Sequence, residues 1–582
     1  MMMDIAPLGI RLAKTAGFCM GVKRAVDMAL DIARKKRSGQ IYTYGPLIHN
    51  PQTMELLQAQ GIKTLDDLES LRGGDVTIII RAHGISPQEK KKIRDLGYEV
   101  IDATCPRVVH VQAIIKKHEI KGYHILIVGD PDHPEVNGLL GYAGNRGRVI
   151  NDPEEVQGLP QMERVCVVAQ TTQDAALYER TIQEVKIKYP QAVFYDTICD
   201  STAMRQKEVC EMASVMEAMV IVGGKNSANT KRLAQLCEAQ GVNTFLIETA
   251  DELDEKRIGP FKRIGISAGA STPNWIIDQA MDKVVACQHT QTPILRGLLR
   301  LWAWLIRNDI YAALGAASLA FTGAVLIGRE IKAGEMLIAS AYVYGMHNLN
   351  RYINWRIAGS GGPRRNDLYL INENRCLFAS IFAIITALVF SFHAGIKPVI
   401  LLAVISLLGI LYHVRIFPSG FRFRSISDIP GSKNIFMALA WATVAVILPY
   451  LREGAVTFSG LMVSFIFVFY LVFGRSVISD IWDIQSDRLK GRETMPVLLG
   501  LNYVRRFVMV FSLPVLLMIS LAGLTGLVAG AGIALALCLF YIWICLRLCD
   551  RRLGVSSFVM EGLLETNYLL AGGVTLMWLL LR

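Results

Sequence analysis

Three cysteines have the spacing of a shared ligand site. Cys19, Cys105 and Cys199 each follow a short apolar run and precede a helix-like stretch, and the gaps between them are 86 and 94 residues. Such near-equal spacing predicts three similar units that meet at a centre. Three thiolates there can bind zinc, or a [4Fe–4S] cluster in which one iron has no protein ligand and can bind a substrate oxygen. The alternative is three unrelated buried cysteines, because Cys is among the most frequently buried residue types.

A second group of polar side chains occupies turns that follow other apolar runs. Its members are His49, His83, His133, Thr171, Ser227, Asn229 and Ser271. Neutral donors in glycine-rich turns at helix starts suit a phosphate or diphosphate, because backbone N–H groups and the helix dipole act on the same anion. The competing interpretation is that each histidine is a structural residue. Glu135 is the only acid in the turn after His133, which makes it the natural proton donor.

These side chains need a scaffold that brings the turns together. Residues 1–290 repeat a short apolar run, a polar glycine-rich turn and a helix-like stretch, a pattern typical of an α/β fold with mostly parallel sheets. The eight runs are Gln40–Tyr44, Val76–Ile80, Val100–Ile101, His124–Val128, Val165–Val168, Val193–Tyr195, Met219–Val222 and Arg263–Ile266. Ligands of open α/β sheets bind beyond the carboxyl ends of the strands. The sequence therefore predicts a site formed by these turns.

The second half of the chain has the composition of a membrane domain. The 582 residues are 52% hydrophobic with a net charge of +11, and residues 301–582 hold 24 basic and 14 acidic side chains against 37 and 36 in residues 1–300. Nine apolar runs approach the length of a membrane span. They are residues 310–327, 335–346, 376–394, 398–414, 434–451, 457–474, 507–525, 528–547 and 560–581. This distribution indicates a lipid membrane as the partner and not a nucleic acid.

The loops between these runs predict the orientation of the protein. The loops after runs two, four, six and eight hold 18 Lys and Arg residues when Arg547, the last residue of run eight, is counted with its loop, whereas the other interhelical loops hold four. Basic loops stay in the cytosol. We therefore predict a multi-pass protein of the inner or plasma membrane, with nine transmembrane helices and the first half of the chain in the cytoplasm. The alternative is a set of buried helices in a soluble protein.

One basic loop of the second half also contains acids. Asp480, Asp483 and Asp487 are spaced i, i+3 and i+7, so that a helix presents three carboxylates on one face. Like charges in such a stripe repel one another, and Mg²⁺ bridging a diphosphate is the natural cation for them. The competing interpretation is an ordinary solvated helix end.

Residues 300–582 resemble the UbiA-type membrane prenyltransferases. The resemblance rests on the nine runs, the DxxDxxxD pattern, the Thr494-Met-Pro motif and the basic Tyr412–Asn434 loop. It implies a prenyl diphosphate held by Mg²⁺ between two Asp-rich motifs. The first motif of the family, NDxxD, is replaced here by Asn350-Arg-Tyr-Ile-Asn354, which lacks both carboxylates and carries an arginine that repels Mg²⁺. Prenyl transfer is therefore an open question, and lipid anchoring or diphosphate binding without chemistry is the alternative.

Residues 9–285 resemble the LytB (IspH) family of reductases. The matching stretches are GFCMGVKRAV, YGPLIHNPQ, RAHG, DATCPRV, DHPEV, AQTT, TICDSTAMRQ, VGGKNSANTKRL and SAGASTP, in this order. The resemblance implies a trefoil of three α/β modules around a [4Fe–4S] cluster held by Cys19, Cys105 and Cys199. It implies that the substrate is held by His49, His83, His133, Thr171, Ser227, Asn229 and Ser271. It also implies that Glu135 delivers protons through Thr171.

Together the two resemblances predict a fusion of two isoprenoid proteins. The first implies reductive dehydroxylation of 4-hydroxy-3-methylbut-2-enyl diphosphate to isopentenyl and dimethylallyl diphosphate, with electrons from a ferredoxin- or flavodoxin-like donor. The predicted domains are a reductase at 1–290, a linker at 291–309 and a transmembrane prenyltransferase-like domain at 310–582. The alternative is a membrane prenyltransferase or anchor with an inactive cluster domain. The complete set of three cysteines and Glu135 favours the reductase.

Overall fold

The chain divides into two units at the point where its composition changes. The structure is a computed structural model that describes residues 9–36, 39–71, 74–287, 293–330, 332–358, 373–412, 414, 418, 425–451, 457–549, 555 and 557–582. One unit is Met1–Gln291 and the other is Thr292–Arg582. Within the described residues the first unit holds twelve strands, and the second is helical.

The strands of the first unit form three parallel sheets of four strands each. They are β1 (Ile10–Leu12), β2 (Gln40–Tyr44), β3 (Ile62–Leu65), β4 (Val76–Ile80), β5 (Glu99–Asp102), β6 (His124–Val128), β7 (Gly147–Ile150), β8 (Val165–Ala169), β9 (Val193–Tyr195), β10 (Ala218–Val222), β11 (Asn243–Ile247) and β12 (Ile264–Ala268). The strand orders are β1-β12-β10-β11, β3-β2-β4-β5 and β7-β6-β8-β9. The three sheets confirm the predicted α/β fold of three modules.

Four strands have no counterpart among the predicted runs, and all four lie at the edge of a sheet. They are β1, β3, β7 and β11. Every residue of the central strand β4 is buried, whereas the two middle residues of β3 are exposed. A central strand of a parallel sheet is covered on both faces and reads as a continuous apolar run. An edge strand is paired on one side only, so its sequence carries a weaker signal.

Ten helices join and cover these strands. They are α1 (Met20–Lys35), α2 (Pro51–Ala59), α3 (Pro87–Asp95), α4 (Pro106–Ile120), α5 (Pro134–Ala143), α6 (Ala175–Lys188), α7 (Asp200–Ala213), α8 (Ala228–Ala239), α9 (Glu255–Ile258) and α10 (Asn274–Cys287). Several begin directly at a residue singled out by the sequence. Cys19, His133 and Ser227 each accept a hydrogen bond from a backbone N–H of the helix that follows. The turns thus present these side chains at helix N-termini, where an anion is stabilised.

Each of the nine predicted spans falls on a helix of the second unit. The helices are α11 (Pro293–Arg307), α12 (Ile310–Leu326), α13 (Ala333–Ala358), α14 (Glu373–Ala394), α15 (Ile396–Leu411), α16 (Ser432–Tyr450), α17 (Phe458–Leu489), α18 (Met495–Leu499), α19 (Leu501–Leu524), α20 (Ala531–Leu548) and α21 (Ser557–Leu581). Helices α14, α16, α17, α19, α20 and α21 are long and apolar enough to cross a membrane. Among the described residues this gives six spans, so the protein is a multi-pass membrane protein and nine is an approximate count.

The three remaining predicted spans differ from the six in identifiable ways. Helix α15 is apolar but has only 16 residues. Helix α13 has 26 residues but includes the polar stretch around Arg351. Helix α12 forms a bent pair with α11, at 79°, and counts as a seventh span only if the pair is taken as one. Helix α11 lies inside the predicted linker, 291–309.

Candidate functional site

The three cysteines occupy equivalent places in the three modules. Each follows an edge strand (β1, β5 or β9) and stands immediately before the first residue of a helix (α1, α4 or α7). The backbone N–H of each donates to a carbonyl in the turn after a neighbouring strand. The acceptors are Ala270 for Cys19 at 3.0 Å, Ala82 for Cys105 at 2.9 Å and Thr171 for Cys199 at 2.9 Å. The same local structure therefore presents one thiol from each sheet.

The separation of the thiols distinguishes the two kinds of inorganic site. A Cβ built on Gly21 would lie 2.6 Å from Cys105 Sγ and 3.9 Å from Cys19 Sγ, so the two sulfurs are at most 6.5 Å apart, the sum of these distances. Among the described residues, the cysteine trio does not bring its sulfurs within 4.8 Å of one another. Sulfurs that share one tetrahedral zinc lie about 3.8 Å apart, given Zn–S bonds of about 2.3 Å. The spread fits a larger multi-iron group.

The electrostatics of the thiols also fit a bound inorganic group. Burial raises the pKa of the Cys105 thiol, and the neighbouring charges of Cys19 and Cys199 raise it further, whereas backbone N–H donors oppose the shift. The Val22 N–H donates to Cys19 Sγ at 3.4 Å. Each of the three sulfurs lies at a helix N-terminus, where the helix dipole favours the thiolate form that a metal ion or cluster binds.

The three predicted histidines form one cluster. Their ring centroids are 4.6 Å apart for His49 and His83, 5.8 Å for His49 and His133, and 5.5 Å for His83 and His133. Burial is the main cause that lowers their pKa values, to about 4 for His133 and well below the usual range for His83. The nearby Arg81 lowers all three further. The imidazoles are therefore neutral at physiological pH.

The hydrogen bond to His133 favours one kind of ligand for this cluster. His133 Nδ1 accepts from the Glu135 backbone N–H at 3.1 Å, so a neutral His133 carries its proton on Nε2. A metal ion on Nε2 would require that proton to move to Nδ1, against the Glu135 N–H. The trio has the spacing of a metal site, but this tautomer and the adjacent guanidinium of Arg81 favour an anion that accepts hydrogen bonds.

Several buried polar atoms around the cluster have no protein partner in the described part of the chain. They are His49 Nε2, His83 Nδ1 and both amide atoms of Asn229. Asn229 is 4% exposed, and an unsatisfied buried polar group is costly. Ser271 lies in the same place, because its hydroxyl donates to the His49 carbonyl oxygen at 3.1 Å. These unpaired atoms indicate a polar ligand.

Glu135 and Thr171 form a buried pair beside these groups. Glu135 Oε1 accepts from the Thr171 backbone N–H at 2.7 Å, and Oε2 accepts from Thr171 Oγ1 at 2.8 Å. Burial raises the pKa of Glu135 to about 7, although the two hydrogen bonds from Thr171 act to lower it. A carboxyl with this pKa is partly protonated at neutral pH and can donate a proton. The Thr171 carbonyl also accepts from the Cys199 N–H, which links the acid to a thiol-bearing turn.

Two arginines of this site were missed by the sequence analysis. Arg205 is 2% exposed and donates to the carbonyl oxygens of Ala268 at 2.7 Å and Gly17 at 3.0 Å. Burial lowers its pKa to about 10, and the charges of Cys19 and Cys199 oppose the shift. Arg81 follows β4 by one residue and points its guanidinium between two histidine-bearing turns. Arg81 lies in the stretch RAHG and Arg205 in the stretch TICDSTAMRQ. The family resemblance of these two stretches is the sequence signal that could have pointed to them.

The three predicted magnesium ligands lie near one another on α17 but have partners within the protein. Asp480 Oδ1 lies 3.2 Å from Lys433 Nζ, and Oδ2 accepts from Asn434 Nδ2 at 2.9 Å. Asp487 Oδ1 lies 3.9 Å from Arg492 Nη1. Among the described residues, Asp480, Asp483 and Asp487 are not brought together as a three-ligand metal site.

The first-motif position of the membrane unit also contains ion pairs. Arg351 pairs with Asp309, and Arg475 Nη2 lies 2.9 Å from Glu565 Oε1 and 3.8 Å from Glu561 Oε1. A buried carboxylate held by an arginine is already neutralised and has less affinity for Mg²⁺. Within the described residues, Asp309 is paired with Arg351, and Glu561 and Glu565 share Arg475.

Comparison with known proteins assigns the two regions to families. Residues 10–285 match the family model of the LytB protein, and residues 370–564 match that of the UbiA prenyltransferase family. The 4-hydroxy-3-methylbut-2-enyl diphosphate reductase of Geobacter sulfurreducens is 44% identical over 275 residues, which are 47% of this chain and 96% of that protein. The reductase of the same name from Clostridioides difficile is 40% identical over 276 residues, 47% of this chain and 98% of that protein.

A solved structure of an (E)-4-hydroxy-3-methyl-but-2-enyl diphosphate reductase, described as the terminal enzyme of the non-mevalonate pathway, has 41% identity and a TM-score of 0.38. It covers 47% of this chain and 98% of its own. The two relatives are matched over almost their whole length and lie above 30% identity. The chain therefore belongs to the LytB family, with a UbiA prenyltransferase family region fused behind its reductase-like unit.

Proposed function

We propose that the first unit reduces 4-hydroxy-3-methylbut-2-enyl diphosphate to isopentenyl and dimethylallyl diphosphate. The observation that carries the proposal is the buried Glu135–Thr171 pair, which is joined through the Thr171 carbonyl to the turn of Cys199. A proton source thus lies next to a thiol that can hold a redox group. The overall reaction replaces C–OH by C–H and releases water, which consumes two electrons and two protons.

The residues of the first unit divide this work between them. Cys19, Cys105 and Cys199 would hold a [4Fe–4S] cluster, which when bound supplies the electrons and a Lewis-acidic iron. The three neutral imidazoles, with Ser227, Asn229 and Ser271, bind the diphosphate by donating hydrogen bonds and so orient the hydroxymethyl end. Glu135 holds a proton on its carboxyl group and passes it through Thr171 Oγ1. A ferredoxin- or flavodoxin-like protein is the proposed electron donor.

Anaerobic purification of the full chain tests this proposal. We expect about four irons per chain, retained in Glu135→Gln and lost in Cys19→Ala. Glu135→Gln should lower the rate of product formation by about 10² to 10⁴-fold, the usual contribution of a general acid. An iron-free, well-folded wild-type protein would contradict the cluster assignment. Full activity in Glu135→Gln would contradict the proton donor.

For the second unit we propose a membrane bundle that binds a prenyl diphosphate. It would keep the attached reductase unit on the cytoplasmic side of the membrane. The distribution of basic loops supports the orientation, and the boundaries proposed are 1–290, 291–309 and 310–582. Any Mg²⁺ would be held by the Asp480, Asp483 and Asp487 face, by exchange for the present ion pairs. Mg²⁺-dependent prenyl transfer before and after Asp483→Ala tests this role. No transfer to any common aromatic acceptor would leave anchoring as the function of the bundle.

A further inference from the structure

Helix α11 precedes the first helix of the membrane bundle and is amphipathic. Leu298, Leu301 and Trp304 are 59%, 52% and 54% exposed, respectively. Arg300 and Arg307 are exposed as well. At about 100° per residue, the two arginines lie on one side of the helix, about 110° around the axis from the centre of this apolar face. The helix therefore carries separate apolar and basic surfaces.

A third face of α11 fixes the helix to the bundle. The Trp302 ring lies 5.2 Å from the Phe558 ring and 6.3 Å from the Tyr311 ring, measured between centroids. A Cβ on Gly562 would collide with Trp302, and Ile306 is 4% exposed. The exposed apolar face is thus not the face that packs on α12 and α21. Within the described part of this unit, the face remains exposed.

The bend after α11 sets the direction of the helix. Helix α12 has 17 residues, about 26 Å at 1.5 Å per residue, which almost crosses the hydrocarbon core of a bilayer by itself. Helix α11 makes an angle of 79° with it. If α12 crosses the membrane, then α11 runs close to the membrane plane.

The corner itself is built on an unusual residue. Asp309 has φ of 58°, the only positive φ of a non-glycine residue in the described part of the chain. Asp and Asn tolerate this left-handed conformation best. The Asp309 carboxylate pairs with Arg351 and lies 3.9 Å from His347 Nδ1. Arg351 stands in the position of the lost first Asp motif, so the residue that removes a metal ligand also holds this corner.

We propose that α11 is an interfacial helix that lies on an anionic phospholipid surface. Leu298, Leu301 and Trp304 enter the boundary of the acyl chains, and Arg300 and Arg307 bind the lipid phosphates. An amphipathic helix with aromatic and aliphatic residues on one face and basic residues on another has the chemistry of such a surface. The Asp309–Arg351 pair acts as a positioning element that keeps the helix at this angle.

The depth of Trp304 tests the proposal in the full chain. The protein is reconstituted into vesicles of three parts phosphatidylcholine to one part phosphatidylglycerol, with bromine atoms near the headgroup or near the chain ends. The Trp304 signal is the difference between wild type and Trp304→Phe. We expect stronger quenching by the shallow bromines. Stronger quenching by the deep bromines would make α11 part of a span, and no quenching would mean that protein or water covers the face; either result overturns the proposal.

Variants of the two arginines test the preference of α11 for anionic lipid. Brominated phosphatidylglycerol should quench Trp304 about twofold more than brominated phosphatidylcholine at the same mole fraction, because the arginines attract anionic lipid. The difference should disappear in Arg300→Gln/Arg307→Gln and persist in the matched double Lys variant. Equal quenching in wild type would overturn the anionic partner.

Asp309→Asn keeps a residue that tolerates the left-handed conformation but removes the charge. We expect it to lower the ratio of shallow to deep quenching as much as Arg351→Gln does, with no further change in the double variant. An unchanged ratio would contradict the role of the ion pair. It would not affect the depth measurement on the wild type, which tests the interfacial position separately.

Discussion

Replacing Thr171 with Val tests whether Glu135 is the proton donor. The change removes the hydroxyl that donates to Glu135 Oε2 and keeps the backbone N–H that donates to Oε1. Thr171 lowers the pKa of Glu135, which burial raises to about 7. A hydrogen bond to a charged group contributes about 1.5–3 kcal/mol, and one pKa unit corresponds to about 1.4 kcal/mol. Its loss should therefore move the pKa of Glu135 up by about one to two units.

The assay is the dependence of kcat/KM on pH, which reports the ionisation of the free enzyme. Because the donor must be protonated, kcat/KM of the wild type should fall about tenfold per pH unit above pH 7. In Thr171→Val the fall should begin about one to two pH units higher, although the maximal rate is lower because the hydroxyl relay is lost. Thr171→Ser keeps the hydroxyl and is the matched control.

Two outcomes would refute this reasoning. If the fall of kcat/KM at high pH, the alkaline limb of the profile, stays in place or moves to lower pH in Thr171→Val, then the hydroxyl does not stabilise the Glu135 carboxylate. If the residual activity of Glu135→Gln keeps the same limb, then the limb belongs to another group.

Two further predictions concern positions where the structure offers a matched control. Gly224→Ala places a Cβ 2.7 Å from the His49 carbonyl oxygen, and because the backbone cannot easily move away, we expect KM for the diphosphate substrate to rise about tenfold. Gly158→Ala, whose Cβ meets nothing within 4 Å, should leave KM unchanged. A larger rise of KM in Gly158→Ala than in Gly224→Ala would contradict the close packing of Gly224 against the His49 turn. Lys433→Met removes the cation beside the buried Asp480 carboxylate and should destabilise the membrane unit by about 2 kcal/mol, measured by thermal unfolding in detergent; Lys433→Met with Asp480→Asn should recover most of the loss, and an additive double variant would show that the pair does not interact.

The parts of the fold that follow from the sequence are those with a local signal. Central strands such as β4 and β8 are buried on both faces and appear as apolar runs. The edge strands β1, β3, β7 and β11 are only partly buried, and their sequences mix polar and apolar residues. The six long spans follow from hydropathy. Helix α11 falls in the predicted linker, since three arginines interrupt its fifteen residues and its apolar stretches are too short to span a membrane.

The residues of the candidate site could likewise be predicted where their sequence signal is local. Thiols, imidazoles and hydroxyls in turns after strands could be predicted because the carboxyl edge of a parallel sheet collects them. Arg205 could not, since an arginine within a helix normally indicates an exposed face, and its burial depends on the turn at Gly17. The Asp309–Arg351 pair joins residues 42 positions apart through helix packing. The pKa of Glu135 depends on how completely the three modules exclude water.

The arrangement of the three thiols has a consequence for how the reductase unit fails. Each module contributes one of them, so a single cut of the chain between any two of these cysteines leaves no fragment with more than two of the three ligands. Oxidation of one sulfur would weaken the binding of a group that links all three modules. Exposure to air should then make the turns after β1, β5 and β9 susceptible to proteases at the same time, and not one after another.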